Sequence, residues 1–218
     1  TMKKGLTDLV FILDKSRSMS GLEADTIGGY NSMLAKQKAV EGECRITTVL
    51  FNNYFELLDD GINIKEATAM TEKEYQVGGT TALLDAIGTT IHKIANEQKY
   101  AIEGNRAEKV MFVIITDGEE NSSREYSVER IKAQIEKQKE EYGWEFVFLG
   151  ANIDAVKTAG HYGITSDRAA DYISDSEGTQ LNYLVISQAI ETFRSSGYIE
   201  RDSFEEIHKD VKQRRNIK

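Results

Sequence analysis

Three short polar stretches carry oxygen donors at spacings that invite chemistry: Asp14-Lys15-Ser16-Arg17-Ser18, Gly78-Gly79-Thr80-Thr81 and Thr116-Asp117-Gly118. Carboxylates and hydroxyls converging on one point suit a hard divalent cation, Mg²⁺ first, with Mn²⁺ or Ca²⁺ as substitutes. Two aspartates already balance the charge of such an ion. Completing the shell with neutral hydroxyls leaves the ion more electrophilic than a carboxylate-rich cage would, so an open position attracts an external anion, most simply a carboxylate. Taken singly, an aspartate closing a strand is more often a turn or helix-cap residue. The metal reading therefore depends on the three stretches meeting.

The elements around them supply a way to meet. Thr7–Leu13, Val110–Ile115 and Phe146–Leu149 are continuous apolar runs, the pattern of strands buried on both faces. Between and after them lie helical spacings. Ala82–Gln98 carries Leu83, Leu84, Ile87, Ile91, Ile94 and Ala95 on one face. Ser127–Tyr142 has a narrower stripe of Val128, Ile131, Ile135 and Tyr142 behind a Ser127 N-cap, and Gln180–Ser195 repeats the pattern through Leu181, Leu184, Val185, Ala189, Ile190 and Phe193. Cys44–Phe51 and Tyr54–Leu58 flank Asn52-Asn53, residues that tolerate the positive φ of a tight turn, and read as an antiparallel edge hairpin. The expected class is α/β, doubly wound, with a mostly parallel sheet covered by helices on both faces. We expect one domain over residues 1–196 and a helical tail over 197–218. In such a sheet ligands bind at the carboxyl ends of the strands. If the strands Thr7–Leu13 and Val110–Ile115 are parallel neighbours, Asp14 and Asp117 share one rim.

With its motifs in this order, the chain resembles von Willebrand factor type A domains and their metal-ion-dependent adhesion site (MIDAS). The resemblance runs from about Thr7 to Gly150 through the motifs, and to Ser195 through the strand–helix pattern. Asp-x-Ser-x-Ser alone is a weak signal, whereas the three-part set in its structural context is specific. The resemblance implies Ser16, Ser18 and Thr81 as hydroxyl ligands, with Asp14 and Asp117 coordinating directly or through water. Thr81 is preferred to Thr80 for its spacing to Ile87. It also implies a protein partner that offers an Asp or Glu carboxylate to the bound ion, and a binding module rather than an enzyme, of the intracellular bacterial or phage type.

Other classes fit poorly. A net charge of −9 opposes nonspecific nucleic-acid binding, which relies on Lys and Arg neutralising phosphates. The basic cluster Lys209, Lys212, Arg214, Arg215 and Lys218 is interleaved with Asp210 and reads as a solvated helix end. The apolar runs fall far short of the roughly 20 residues that span a bilayer. The single cysteine, Cys44, forms no intrachain disulfide, and the absence of proline removes polyproline ligands. These features and the lack of a secretion signal lead us to expect a cytoplasmic protein. His92, His161 and His208 are scattered, without a partner cysteine. The main alternative is a Mg²⁺-dependent phosphatase-like or hydrolytic enzyme. An aspartate closing the first strand resembles haloacid dehalogenase-like phosphatases, but their second Asp is Ser16 here, which leaves only Glu119 or Glu120 as a base for an activated water. Finally, Asp14→Ala and Asp117→Ala are expected to be tolerated without metal, because two close carboxylates repel each other.

Overall fold

In the computed structural model, which describes residues 1–216, the two longest apolar runs become neighbouring strands at the centre of a six-stranded sheet. β1 (Met2–Asp14) and β4 (Arg106–Thr116) run parallel, with Leu13 opposite Ile115. Beyond β1 lie β2 (Cys44–Phe51) and β3 (Phe55–Asn63), and beyond β4 lie β5 (Glu145–Gly150) and the short β6 (Ala169–Asp171). The order is β3-β2-β1-β4-β5-β6, and only the edge strand β3 is antiparallel. This is the expected doubly wound architecture.

The continuous hydrophobicity of β1 has a direct cause. Leu9, Phe11 and Leu13 pack under α1 (Glu23–Lys38) and α5 (Ser176–Ser196), while Val10 and Ile12 pack under α2 (Leu83–Tyr100), α3 (Val128–Tyr142) and α4 (Ala155–His161). Alternate side chains enter opposite apolar layers, so no position from Leu9 to Leu13 is left for a polar residue. α6 (Glu205–Arg215) lies against α5 and β6 and adds Phe204 and Ile207 to the first layer. Arg214 is not simply solvated: its guanidinium pairs with Asp210 at 2.6 Å and with Asp175 at 2.5 Å, tying α6 to the start of α5. Lys218 of the same basic cluster lies outside the described residues. No helix among the described residues is long and apolar enough to cross a membrane.

Several local expectations are corrected. The 52–54 turn uses no positive φ, since Asn152 is the only described non-glycine residue that has one. Instead the Asn52 side-chain oxygen accepts from the Tyr54 N–H at 2.8 Å and closes the hairpin as an Asx turn. α5 begins four residues before Gln180, because Asp175 caps it by accepting from the Gly178 N–H at 2.8 Å. Leu184, Val128 and Tyr142 belong to their apolar stripes by spacing, yet all three are solvent-exposed.

Candidate metal site

The β1–β4 pairing places Asp14 beside Thr116, and the Asp14 carboxylate holds both strand ends. Its Oδ1 accepts from the Ser16 N–H at 2.7 Å, while its Oδ2 accepts from the Thr116 hydroxyl at 2.7 Å and the Asp117 N–H at 3.4 Å. The loop then makes a single 3₁₀ turn over Arg17–Met19, which carries Ser18 back over the rim. Ser16 Oγ and Ser18 Oγ lie 3.1 Å apart, and the Ser18 hydroxyl donates to Asp117 Oδ1. Asp14, Ser16, Ser18 and Asp117 thus form one connected cluster. Asp14, Ser16 and Asp117 are each no more than 2% exposed, whereas Ser18 faces solvent.

Asp117 is the anomalous member. Its Oδ2 is buried and has no hydrogen-bond partner. Burial pushes its carboxyl up to about 6, and the neighbouring charge of Asp14 adds to the rise. The hydroxyl of Ser18 opposes it.

Thr81 arrives from the other side. No hydrogen bond among the described residues joins it to the other four, but its loop is fastened to theirs. The Gly78 N–H donates to the Lys15 carbonyl at 2.9 Å and the Arg17 N–H to the Gly79 carbonyl at 3.2 Å. Gly79 passes through φ +77°, where a side chain would also meet Asn53. Thr81 is buried, whereas Thr80 is exposed and spends its hydroxyl on Ser122 at 3.0 Å.

Sequence reasoning missed what holds this part of the rim. The Asn121 carboxamide oxygen accepts from the Thr81 N–H at 2.9 Å, and the Asn121 N–H donates to the Thr81 carbonyl at 3.0 Å. The Glu120 carboxylate accepts from the backbone N–H groups of Leu84, Ser122 and Ser123 and from the Ser123 hydroxyl. It caps the start of α2, where backbone N–H groups lack helical partners. The signal available in sequence was the polar run Glu120–Ser123 together with a helix start that has no side-chain N-cap of its own.

The expectation that both aspartates are dispensable also needs correction. Asp14 accepts three hydrogen bonds within the loops and braces them, whereas Asp117 accepts one on Oδ1 and none on Oδ2.

The donor set is two carboxylates and neighbouring hydroxyls, without nitrogen or sulfur. No group of three or more His, Cys, Asp or Glu suited to a metal occurs among the described residues. A cation here would rest on this mixed set, and the unpartnered Asp117 Oδ2 fits one: a positive charge would satisfy the orphaned oxygen and offset the Asp14–Asp117 repulsion. The set suits a hard ion.

A doubly wound sheet with this loop triad at its carboxyl edge has the architecture of a von Willebrand factor type A domain. The chain belongs to the von Willebrand factor type A domain family, whose model matches residues 8–185. Among solved structures it is similar to the PilB minor pilin from Streptococcus sanguinis, with a TM-score of 0.60 at 12% identity over 85% of this chain and 61% of that one. It is also similar to the ArnB paralog VWA2 from Sulfolobus acidocaldarius, with a TM-score of 0.55 at 18% identity over 87% and 46%. A third is proximal thread matrix protein 1 from the mussel byssus, with a zinc-occupied MIDAS motif, at a TM-score of 0.57 and 14% identity over 87% and 47%. At these identities the likeness shows the fold. The chain spans less than two thirds of the length of each of these proteins. No curated protein sequence matches it.

Proposed function

We propose that the domain binds one divalent cation, Mg²⁺ in preference to Mn²⁺ or Ca²⁺, and through it docks an Asp or Glu carboxylate of a partner protein. Asp14, Ser16, Ser18, Thr81 and Asp117 would hold the ion. The observation that carries this reading is Asp117 itself, a buried carboxylate with one orphaned oxygen beside a second carboxylate and two serine hydroxyls. The zinc-occupied MIDAS of the mussel protein lends support from a related fold.

When bound, the ion supplies an electrophilic point for an external carboxylate. The protein's own contribution is to fix the donors: Asp14 through Ser16, Thr116 and Asp117, and the Thr81 loop through Asn121. We read the domain as a binding module without catalytic activity. Glu120, one of two candidate bases for a hydrolytic reaction, is committed to four donors on α2 and its own loop and is poorly placed to take a proton from water. Turnover of a generic phosphate ester with Mg²⁺ or Mn²⁺, absent in Asp14→Ala, would favour the enzyme reading instead.

The test is capture of a partner from the source cell in Mg²⁺ and in chelator, with wild type and Asp14→Ala. We expect capture that disappears with chelator and with the substitution. It should change little with moderate salt, because a direct metal–carboxylate bond acts at about 2 Å whereas repulsion from the acidic surface is screened beyond roughly 8 Å. A partner held equally in chelator would overturn the proposal.

A further inference from the structure

Behind the rim, between β1 and the helices α1 and α5, lies a small cavity of about 10 Å³. Six residues with polar groups line it: Asp14, Thr26, Tyr172, Thr179, Asn182 and Tyr183. Their presence is unexpected, because this layer is otherwise the apolar core formed by β1, α1 and α5. Two of the six have side-chain oxygens without a hydrogen-bond partner. Thr26 Oγ1 and Asn182 Oδ1 are buried without a hydrogen-bond partner, on residues only 3% and 1% exposed. Thr26 belongs to α1 and Asn182 to α5.

We propose that this cavity is a binding site for one structural water, which bridges Thr26 Oγ1 and Asn182 Oδ1 beneath Asp14. The volume is what a single water needs, and the site offers the two to four polar partners that buried waters take. Water can donate to the Asn182 carboxamide oxygen and exchange a hydrogen bond with the Thr26 hydroxyl. Its remaining capacity faces Tyr172 and Asp14. Tyr172 is buried, and its neutral phenol can donate at this site. A small ion is the poorer occupant, because the cavity has no room for the several oxygens that even a compact cation requires.

The water makes the two helices of this face share a polar contact directly under the end of β1. The same strand end is held from the side by Tyr75, whose hydroxyl donates to the Asp14 carbonyl at 2.5 Å. The backbone of Asp14 therefore rests on a polar floor rather than on hydrocarbon, which restricts how the loop that starts there can shift. The inference concerns the metal-free fold and does not depend on the proposed cation.

The test has two arms, both in chelator. A high-resolution crystal structure should show a density peak within hydrogen-bond distance of both Thr26 Oγ1 and Asn182 Oδ1. In denaturation, Thr26→Val and Asn182→Leu keep the shape and remove one partner each. Each should lower the midpoint, and the double variant should fall short of the sum of the two losses, since expelling the water removes the need for both groups. Absence of the density peak, midpoints raised by the single substitutions, or strictly additive effects of either sign would overturn the assignment. A failure of metal binding would leave both arms readable.

Discussion

Glu120 and Asp85 each cap the backbone of the other's segment across the junction between the loop after β4 and the first turn of α2. Glu120 accepts from the Leu84 N–H at 2.9 Å, and Asp85 accepts from the N–H groups of Arg124, Glu125 and Tyr126 at 2.8, 3.0 and 2.9 Å. Neither carboxylate is a metal-ligand candidate, yet together they fix the distance between the Thr81 and Asp117 loops. Glu120→Gln preserves shape but turns one acceptor oxygen into a donor facing N–H groups. It should cost about 1–3 kcal/mol in chelator. Chemical denaturation measures this, and a loss below about 0.5 kcal/mol, the range of an ordinary surface substitution, would mean the loop is held elsewhere.

Asn121 separates positioning from stability. Asn121→Ala removes the acceptor for the Thr81 N–H and should weaken Mg²⁺ affinity roughly 10-fold or more, the scale of other residues that orient metal ligands. Isothermal titration with Mg²⁺ reads the effect. Unchanged affinity would show that Thr81 is placed by its own loop.

The two aspartates should respond differently when metal is removed. Asp14→Ala strips acceptors from the Ser16 N–H and the Thr116 hydroxyl and should destabilise the metal-free fold by about 1–3 kcal/mol. Asp117→Asn relieves a buried charge and should be neutral or stabilising. With Mg²⁺ at a hundred times its dissociation constant, wild type should gain about 2.7 kcal/mol, seen as a rise in melting temperature. Both variants should lose that gain, and an equal Mg²⁺ response in either would sink the ligand assignment.

Asp117 also sets a pH dependence with a definite sign. Its carboxyl is raised from 3.8 to about 6 in the folded chain, so the folded state keeps a proton that the unfolded state releases between those values. The associated stability is full below the lower value and is lost as pH climbs through the upper one, a change on the order of 2 kcal/mol. In chelator, wild type should therefore lose stability relative to Asp117→Asn between these limits. Mg²⁺ competes with that proton, so the thermal shift it produces should shrink as pH falls below about 6. Parallel pH profiles for wild type and variant would contradict this.

Gly88 tests how the same loop is seated on α2. A Cβ there would meet the Tyr126 ring at 2.3 Å. Glycine to alanine inside a helix ordinarily stabilises by about 1 kcal/mol, but Gly88→Ala should instead destabilise, because Tyr126 must leave its seat. A gain in denaturation midpoint would show that the ring moves freely.

The site's residue types were legible because the motifs are local: Asp14, Ser16 and Ser18 sit within five residues, and each apolar run ends where its polar loop begins. What escaped depends on contacts between distant segments. Glu120 reads as an acid of an open loop, at most a candidate base, until α2 is placed against it. β6 is three residues long, and Ala169–Asp171 contains no large apolar side chain to announce a strand. It forms because β5 offers an edge. Leu184 falls on the correct spacing of α5 but lies outside the area that α1 and the sheet cover. Asn52 suits the turn by its backbone freedom in the sequence, whereas its side chain supplies the closing hydrogen bond.

Ser18 and Asp117 touch across 99 residues of chain, through strands that are neighbours in space but separated in sequence by the helices α1 and α2 and the hairpin between them. Closing a loop of that length has an entropic cost that must be met before any contact within the cluster can form. A growing polypeptide displays the serine loop and the threonine loop long before Asp117 exists, so no fragment presents the cluster early. Contacts made this late contribute little to the folding transition state, and strengthening them slows unfolding rather than speeding folding. Any ligand of this rim would consequently act as a latch closed after folding, extending the lifetime of the finished sheet without guiding its assembly.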